Sequence, residues 1–441
     1  EHVKFSDQNK SMNVWNKPKW EKHPVYEYNS HAHGKGLSLE KYWRVCTPSR
    51  YHPYSKDGLF KLINKYDKFR DKHKKLSFED MIDNFLFKAE TPEDIDILIV
   101  DEAQDCSKPQ IKALQKAATN AIKFIFIGDP DQTIHEYAGS DPEFFYKLAD
   151  SKEAKDNELT EGLRCGQTIN KICKNIISPV WKKYGSNAKR IWTPTSVVGK
   201  SYWIPSLEQT CAARDTLINK ILNTNETFLF TYRGNPTHKK ISDFFKDNGI
   251  DYQSLSNSPH VSREHFKCFK TWKIFLEDKV SKTQIMKYWP LIGKTVKVHG
   301  KGSVDHLKPL TNKDYNIQEL INMGFILESA KKFTKFSQVL TNKTLLEKVP
   351  FILKVINNGM DTEEPPRVKY DTIHKVKGLT FDNVVVDLSI YRPEPLNFEP
   401  VRLAYVAYSR GKTDCWSIGS SSPSRVSLAG IQNNRREILE L

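Results

Sequence analysis

The sequence predicts an α/β fold with two parallel-sheet domains and mainly helical insertions. Two observations predict this fold class. Apolar runs of strand length alternate with segments of helical spacing between residues 95 and 150, and the alternation returns after residue 225. Strands that are apolar throughout and alternate with helices are typical of parallel sheets covered on both faces. Residues 257–365 interrupt the second alternation with helices and Lys-rich loops, which indicates an insertion.

The elements follow in chain order. Over the first eighty residues the sequence predicts loops and short helices. It also predicts helices over DGLFKLINKYDKFRDKHKK and LSFEDMIDNFLF. Next come a buried strand ILIV, a helix with Ser107 as its N-cap and Pro109 in its first turn, and a buried strand KFIFIGD. Later strands are TFLFTYRG, YDTIHKVKG, NVVVDL and DCWSIGS, with helices over HKKISDFFKDNG, ending at Gly249, and VRLAYVAYSR.

Composition limits the class of protein. The chain has 441 residues, 38% hydrophobic and 27% charged, as expected of an ordinary globular protein rather than a disordered one. No apolar run reaches the roughly 18 residues of a membrane helix. The opening residues, EHVKFSDQNK, also lack the apolar region of a secretory signal. We therefore expect no membrane partner.

Charge and cysteine content add two expectations. A formal net charge of +15 favours a polyanionic partner such as nucleic acid, although a merely soluble basic surface is the alternative. The seven cysteines are odd in number and contain no CxxC pair. This pattern argues against a disulfide scaffold, a zinc ribbon or an iron–sulfur cluster, and predicts free thiols in a reducing cytoplasm.

Two adjacent acids end the first predicted strand. Asp101 and Glu102 directly follow ILIV, and open parallel sheets bind their ligands at the carboxyl ends of strands. In a nucleotide-hydrolysing motor the first acid holds Mg²⁺ and the second orients the attacking water. By itself the pair is weak evidence, because a purely structural role in capping a strand or starting a helix explains it equally well.

Six motifs in order resemble those of superfamily 1 helicases of the UvrD/Rep/PcrA type. VDEAQD and GDPDQ resemble the second and third motifs of that family. The others are LTEGLRC, similar to the family's LxxNYRS, then FTYRGN, TIHKVKGLTF and RLAYVAYSR, which resemble its fourth, fifth and sixth motifs. The resemblance covers roughly residues 80–420 and is weakest over 257–365. It implies two RecA-like motor domains of the P-loop NTPase type.

The resemblance also implies a domain plan. It consists of an inserted helical or irregular subdomain, a partial first motor domain, a second motor domain in two pieces, an accessory insertion and a tail. Their bounds are 1–80, 81–165, 166–256 with 366–425, 257–365 and 426–441.

The implied activity is that of an ATP-dependent DNA helicase or translocase. It would move 3′ to 5′ on single-stranded DNA, act at single-strand/duplex junctions, and couple Mg²⁺-dependent ATP hydrolysis to closure of its motor domains. Repair or replication proteins are the implied partners, and the nucleoid in the cytoplasm is the implied location. The use of Lys, Asn and Ile is compatible with an AT-rich genome such as that of a phage.

Carried over position by position, the resemblance implies a hydrolytic centre. Asp101 would hold the metal, Glu102 would act on the water, and Gln132 would sense the γ-phosphate and couple it to DNA. Arg164 and Arg410 resemble two arginine fingers that would reach the triphosphate from opposite sides of the cleft. A planar, permanently charged guanidinium suits the charge that spreads over phosphoryl oxygens in the transition state. For an arginine outside such a motif, a surface ion pair would be the simpler interpretation.

Other positions would bind nucleotide or DNA. Leu163 replaces the Tyr that stacks on adenine in the family, and Thr380 replaces the Glu that touches the ribose. The implied nucleotide-binding residues are Gly128, Asp129, Leu163, Lys377, Gly378 and Thr380.

Tyr137 takes the place of a base-stacking Trp, and base stacking contributes about 1–3 kcal/mol without reading sequence. The implied DNA-binding residues are Tyr137, His135, which stands where the family usually has Tyr, His374, Tyr232 and Arg233. For His374 a structural role fits as well, and Tyr232 with Arg233 would line either the cleft or the DNA path.

The phosphate loop that such a motor needs, G-x-x-x-x-G-K-[ST], does not occur in the sequence. Gly-Lys-Thr at 293–295 and 411–413 lacks the leading glycine, and HGKGLS at 33–38 ends wrongly. Because the chain opens with Glu1 rather than Met, we expect the loop to lie upstream in a longer gene product. If it does not, the protein is a non-hydrolysing relative.

Two rival functions stay open at this stage. One is a translocase that moves on single-stranded DNA without unwinding duplex, since the same motifs serve both activities. The other is a catalytically silent DNA-binding subunit of a repair or defence complex. The joint presence of the acids, the glutamine and both arginines argues against the silent subunit.

Overall fold

A computed structural model describes most of the chain. The described residues are 24–45, 54–91, 95–136, 139–140, 142–149, 155, 157–185, 192–233, 235–277, 279–292, 310–323, 343–388 and 398–419. The chain divides into two compact units. The first comprises Glu1–Glu158 with Val180–Arg190, and the second comprises Leu159–Pro179 with Ile191–Leu441. The domain boundaries expected from the sequence stay predictions.

The described residues before 91 form helices, in agreement with the predicted short helices and the two predicted helical stretches. Helices α1 to α4 span Pro24–Gly34, Leu39–Val45, Lys56–Lys72 and Phe78–Lys88. The side chains of Ser55 and Ser77 accept from backbone N–H groups in the first turns of α3 and α4 and so fix where these helices begin. Tyr28, Leu59 and Ile63 are buried in a small common core.

A two-stranded parallel sheet follows. Strand β1 is Ile97–Val100, helix α5 is Lys108–Ala117, strand β2 is Lys123–Phe126 and helix α6 is Pro142–Ala149. Ser107 caps α5 in a reciprocal capping box with Gln110, and proline stands in the first turn, as predicted. The strands therefore lie where the sequence places them.

The expectation that these two strands are buried is wrong. Ile97 and Ile99 are 54% and 60% exposed, and Phe124 of β2 is also exposed. Helix α4 likewise has no buried residue, although its sequence is amphipathic. A parallel sheet is stable when helices cover both faces. Among the described residues of the first unit, the elements packed against β1, β2 and α4 leave these apolar side chains exposed.

The second unit contains the larger sheet. Its described strands are β3 Ser201–Ile204, β4 Phe228–Tyr232, β5 Tyr252–Ser254, β8 Val368–Thr372, β9 Asn383–Asp387 and β10 Cys415–Ile418. They pair in parallel in the order β3-β10-β9-β4-β8-β5. Every residue of β4 and β9 is buried, as their unbroken apolar runs predict. The α/β class with a parallel-sheet core is thus confirmed.

Helices and a small antiparallel ribbon make up the remaining described elements, which belong to the second unit except for residues 180–184 at the end of the first of these helices. The helices α7 to α16 span Gln167–Tyr184, Ala212–Asn223, Asn235–Asp247, Arg263–Glu277, Lys282–Ile292, Ile317–Asn322, Lys343–Leu346, Val349–Asn357, Ile373–Val376 and Glu399–Tyr408. Strands β6 Val280–Ser281 and β7 Asp314–Tyr315 form the antiparallel ribbon. Helices α10 to α14 and this ribbon lie within 257–365, where the sequence indicates an insertion.

One predicted strand is only half correct. YDTIHKVKG is a strand as far as Thr372 and then turns into the short helix α15. The carboxylate of Asp371 accepts from the Thr372 backbone N–H at 2.7 Å, and such local bonds compete with the ladder of a sheet. Strands β3 and β5 were not predicted from the sequence, because neither carries the long apolar run of β4 or β9.

Two expectations from composition concern the whole chain. Within the described ranges, no helix is both long and apolar enough to cross a membrane. The cysteines among the described residues, Cys106, Cys165, Cys173, Cys211, Cys268 and Cys415, are free thiols. Cys46 lies outside the described residues.

A lysine-centred network ties helix α8 to the large sheet. The Lys220 ammonium lies 2.6 Å from the Asp414 carboxylate, 2.8 Å from that of Glu226 and 3.0 Å from the Asn383 side-chain oxygen. Burial lowers the pKa of Lys220, but the bonds to Asp414 and Glu226 outweigh it and raise the pKa overall. The charged form of the lysine is therefore the native one.

We expect Lys220→Met to lower the free energy of unfolding of the chain by about 2–3 kcal/mol, because it leaves the nearly buried Asp414 carboxylate without its ion-pair partner. Urea unfolding followed by circular dichroism measures this. Lys240→Met is the matched control, since Lys240 pairs with Glu208 at an exposed site and should cost less than about 1 kcal/mol. Equal effects of the two substitutions would contradict the assignment.

Candidate functional site

The predicted acids lie at the carboxyl end of β1. Asp101 and Glu102 are both exposed, and the Asp101 carboxylate accepts from the Glu102 backbone N–H at 2.8 Å. Glu102 has a φ of 51° and a left-handed backbone. This conformation is uncommon for a residue other than glycine and is concentrated at functional sites. It turns the chain sharply out of the strand.

The GDPDQ turn lies at the carboxyl end of β2. Its residues Pro130–Gln132 form one turn of 3₁₀ helix. The Asp129 carboxylate accepts from the Asp131 backbone N–H at 3.0 Å and from the Gln132 side-chain amide at 2.8 Å. Asp129 therefore fixes both the turn and the side chain that the family resemblance assigns to γ-phosphate sensing.

Gln104 joins the two strand ends, and the sequence did not single it out. Its side-chain amide donates to the Glu102 carboxylate at 2.5 Å, and its carbonyl oxygen accepts from the Asp129 backbone N–H at 3.0 Å. A Cβ at Gly128 would lie 2.2 Å from that carbonyl oxygen. Gly128 is thus needed for close approach here. A signal for Gln104 is present in the sequence, because it is a polar residue just after a strand. If such a residue is buried, its side chain must find hydrogen-bond partners.

Asp131 is a second residue that the sequence did not single out. It is fully buried and accepts from the indole N–H of Trp181 at 2.8 Å and from the Tyr146 hydroxyl at 3.3 Å. These bonds hold the GDPDQ turn from its inner side. His135, just beyond, is half-buried, and Tyr137 lies outside the described residues.

Asp101 fits a magnesium site of the open kind. Within the described ranges, no group of three or more His, Cys, Asp or Glu side chains could hold a metal ion. Mg²⁺ does not require such a cage, because it commonly binds one or two carboxylates together with water and substrate phosphates. One exposed carboxylate at a strand end meets that requirement.

The two predicted arginines meet in the second unit. The guanidinium of Arg164 donates to the Ser409 carbonyl at 3.2 Å, and that of Arg410 donates to the Ser409 hydroxyl at 2.8 Å and to the Val406 carbonyl at 3.0 Å. Burial first, and the positive charge of Arg164 second, lower the pKa of Arg410 to about 10. Two guanidinium groups held this close favour an anion beside them.

A backbone contact brings the fifth motif beside the sixth. The N–H of Phe381 donates to the Arg410 carbonyl at 2.9 Å. Thr380, next to it, is exposed, and Gly378 has a left-handed backbone with a φ of 84°. The loop of Lys377, Gly378 and Thr380 therefore runs past the arginine pair. Leu163, adjacent to Arg164, is 90% exposed.

Of the candidate DNA-binding residues in the second unit, Tyr232 is not available for contact. Its ring is 3% exposed and packs near the rings of Tyr370 and His238. The expectation that it lines the cleft or the DNA path is therefore not met, because the strand that carries it is central in the sheet. Arg233 is half-buried beside the Glu399 carboxylate, and His374 is half-buried on α15.

Part of the chain matches a known family. Residues 6–153 match the model of the UvrD/REP helicase N-terminal domain. A stretch of 205 residues is 23% identical to the putative ATP-dependent DNA helicase YjcD of Bacillus subtilis, and covers 44% of this chain and 27% of that protein.

Two further relatives are similar. A stretch of 252 residues is 24% identical to the ATP-dependent DNA helicase Rep of Buchnera aphidicola, over 51% of this chain and 38% of that protein. A stretch of 91 residues is 35% identical to the RecBCD enzyme subunit RecB of Borreliella burgdorferi, over 20% of this chain and 7% of that protein. The matches thus span well under half the length of these curated relatives.

Proposed function

We propose that this chain, a relative of the UvrD/Rep-like superfamily 1 helicases, carries most of the motor of an ATP-dependent DNA helicase that moves 3′ to 5′ on single-stranded DNA. Two RecA-like domains would bind one ATP between them. ATP binding would draw the domains together and hydrolysis would release them.

One observation carries the proposal. Asp101 and Glu102 at the end of β1 are joined through hydrogen bonds to the turn that holds Gln132 at the end of β2. Acids and an amide that are fixed to one another at neighbouring strand ends form the kind of site at which open parallel sheets bind ligands. A cluster that served only stability would not need an exposed carboxylate on a left-handed backbone.

Each residue then has a distinct task. Asp101 would hold Mg²⁺, which offsets negative charge on the phosphates. Glu102 would orient the attacking water and accept its proton, and Gln132 would contact the γ-phosphate. Arg164 and Arg410 would act as arginine fingers on the γ-phosphate. Thr380 would touch the ribose, and Leu163 would pack on the base by apolar contact.

A further polypeptide segment would supply the phosphate loop. The exposed apolar side chains of β1, β2 and α4 support this proposal, because a parallel sheet with uncovered faces lacks neighbours. A segment that adds strands beside β1 or β2 and covers this face of the sheet with a helix would bury Ile97 and Ile99 and would place a loop beside Asp101.

DNA binding would depend on the net charge of +15, since cationic side chains release counterions from the phosphate backbone. His135, Tyr137, Arg233 and His374 are the proposed contacts. Because counterion release scales with the number of phosphates contacted, we propose that the affinity for single-stranded DNA falls steeply with salt concentration.

The experiment combines two assays on the complete gene product. Hydrolysis of ATP is measured with and without single-stranded DNA, and unwinding is measured on forked duplexes that carry a 3′ or a 5′ single-stranded tail. The proposal predicts DNA-stimulated hydrolysis and unwinding with the 3′ tail alone. Hydrolysis without unwinding would favour the translocase. DNA binding without hydrolysis would favour the silent subunit and overturn the proposal.

A further inference from the structure

We propose that Gln104 is a positioning residue that locks the water-orienting Glu102 to the turn carrying Gln132, so that the two respond to the nucleotide as one body. This inference rests on the proposed function, because it assigns a role within the same hydrolytic centre. It concerns how that centre is coupled internally, which the six sequence motifs do not specify.

The chemistry of its partners fixes how the Gln104 amide is oriented. The backbone N–H of Asp129 can only donate, so the carbonyl oxygen of Gln104 must face it. The Glu102 carboxylate can only accept when ionised, so the amide nitrogen must face it. The alternative orientation would place two donors together and two acceptors together. Gln104 is 1% exposed, so water does not compensate for either lost bond.

The surroundings of Gln104 leave it little freedom. The Ala103 backbone N–H donates to the Ile127 carbonyl at 2.9 Å, which holds the two strand ends together just before the bridge. A Cβ at Gly128 would lie 2.2 Å from the Gln104 carbonyl oxygen, so a side chain there would displace the Gln104 amide. The amide is thus confined by contacts from both strands.

The bridge continues from Asp129 to Gln132. The Asp129 carboxylate accepts from the Gln132 side-chain amide, and the Gln132 backbone N–H donates to the Asp129 carbonyl at 2.9 Å. A displacement of Gln132 by the γ-phosphate would therefore shift Asp129, and through Gln104 it would shift the Glu102 carboxylate. Coupling of this kind travels through contiguous hydrogen bonds that are already formed.

Two substitutions separate the arms of the bridge. Gln104→Glu keeps an oxygen to accept from the Asp129 N–H but removes the donor to Glu102 and sets two carboxylates side by side. Gln104→Met keeps the length of the side chain and removes both bonds. Gln110→Met is the matched control, because Gln110 caps the nearby helix α5 from an exposed position outside the bridge.

The first measurement needs no nucleotide. Amide hydrogen exchange of Asp129 is followed in the 441-residue chain. We expect exchange to rise about fivefold or more in Gln104→Met, because the hydrogen-bond acceptor is lost, and to stay near wild type in Gln104→Glu and Gln110→Met. Unchanged exchange in Gln104→Met would overturn the bridge, whatever the activity of the protein.

The second measurement uses the complete gene product with ATP and Mg²⁺. In Gln104→Glu we expect kcat to fall about 10²-fold with little change in KM, since the general base is misplaced rather than the nucleotide. Gln104→Met, which removes both bonds of the bridge, should likewise lower kcat with little change in KM.

The outcomes of the second measurement are distinct. A purely structural role predicts that Gln104→Glu and Gln104→Met change kcat, KM and stability together, and this result would overturn the proposal. If wild type does not hydrolyse ATP, the proposed function fails, and hydrogen exchange at Asp129 still decides whether the bridge exists.

Discussion

Glu102→Gln should abolish ATP hydrolysis in the complete gene product while leaving single-stranded DNA binding intact. Removing the base that accepts the proton of the attacking water should lower kcat by about 10²–10⁴-fold. The substituted amide keeps an oxygen that accepts from Gln104, so the left-handed turn and the bridge should persist. Steady-state hydrolysis and fluorescence anisotropy with a labelled oligonucleotide measure the two properties.

Glu143→Gln is the matched control for this prediction. Glu143 is an exposed glutamate of the same unit that pairs with Lys147 at 3.1 Å, and its loss should leave kcat unchanged. Turnover at the wild-type rate in Glu102→Gln would remove Glu102 from the role of base. A parallel loss of DNA binding would indicate unfolding rather than a chemical effect.

Arg164→Ala should lower kcat by about 10³-fold, because a guanidinium that faces the transferring phosphoryl group stabilises its transition state. Arg164 is the better residue to test. Arg410 is buried just beyond the end of α16 and donates to the Val406 carbonyl in the last turn of that helix, so its removal would also disturb packing. Arg164→Lys keeps the charge but loses the planar donors, and should recover part of the rate.

Arg214→Ala provides the comparison within the same unit. The Arg214 guanidinium donates to the Leu207 carbonyl and lies over the Phe244 ring, away from the motifs assigned to the nucleotide. Its substitution should leave kcat near wild type. If Arg164→Ala also leaves kcat unchanged, Arg164 is a structural arginine that anchors Ser409, and the finger assignment is wrong.

The large sheet could be predicted from the sequence because its central strands carry unbroken apolar runs. FLF in β4 and VVV in β9 are buried throughout, as expected for a sheet covered on both faces. The predicted acids likewise lie at a strand end, as their position directly after an apolar run indicates. The proximity of Arg164 and Arg410 at Ser409 could not be predicted in this way, because these residues are distant along the chain and were singled out only by the family resemblance.

Other features depend on tertiary context that a local pattern does not contain. The apolar runs of β1 and β2 look like buried strands, yet Ile99 is largely exposed, because burial depends on which elements cover a strand. Tyr232 was expected to line a binding surface, but a central strand carries it into the core. Gln104 lies between Glu102 and Asp105 in the sequence. Its role depends on the hydrogen bond from the Asp129 backbone N–H, and Asp129 is distant along the chain.

The central proposal is that Asp101, Glu102, Arg164 and Arg410 act on one triphosphate. A crystal structure of the complete gene product with Mg²⁺, ADP and aluminium fluoride, a mimic of the transferring phosphoryl group, tests it most directly. We predict that Asp101, Glu102, Arg164 and Arg410 all lie around the same fluoride complex. A structure in which the acids and the arginines line separate pockets would contradict the account.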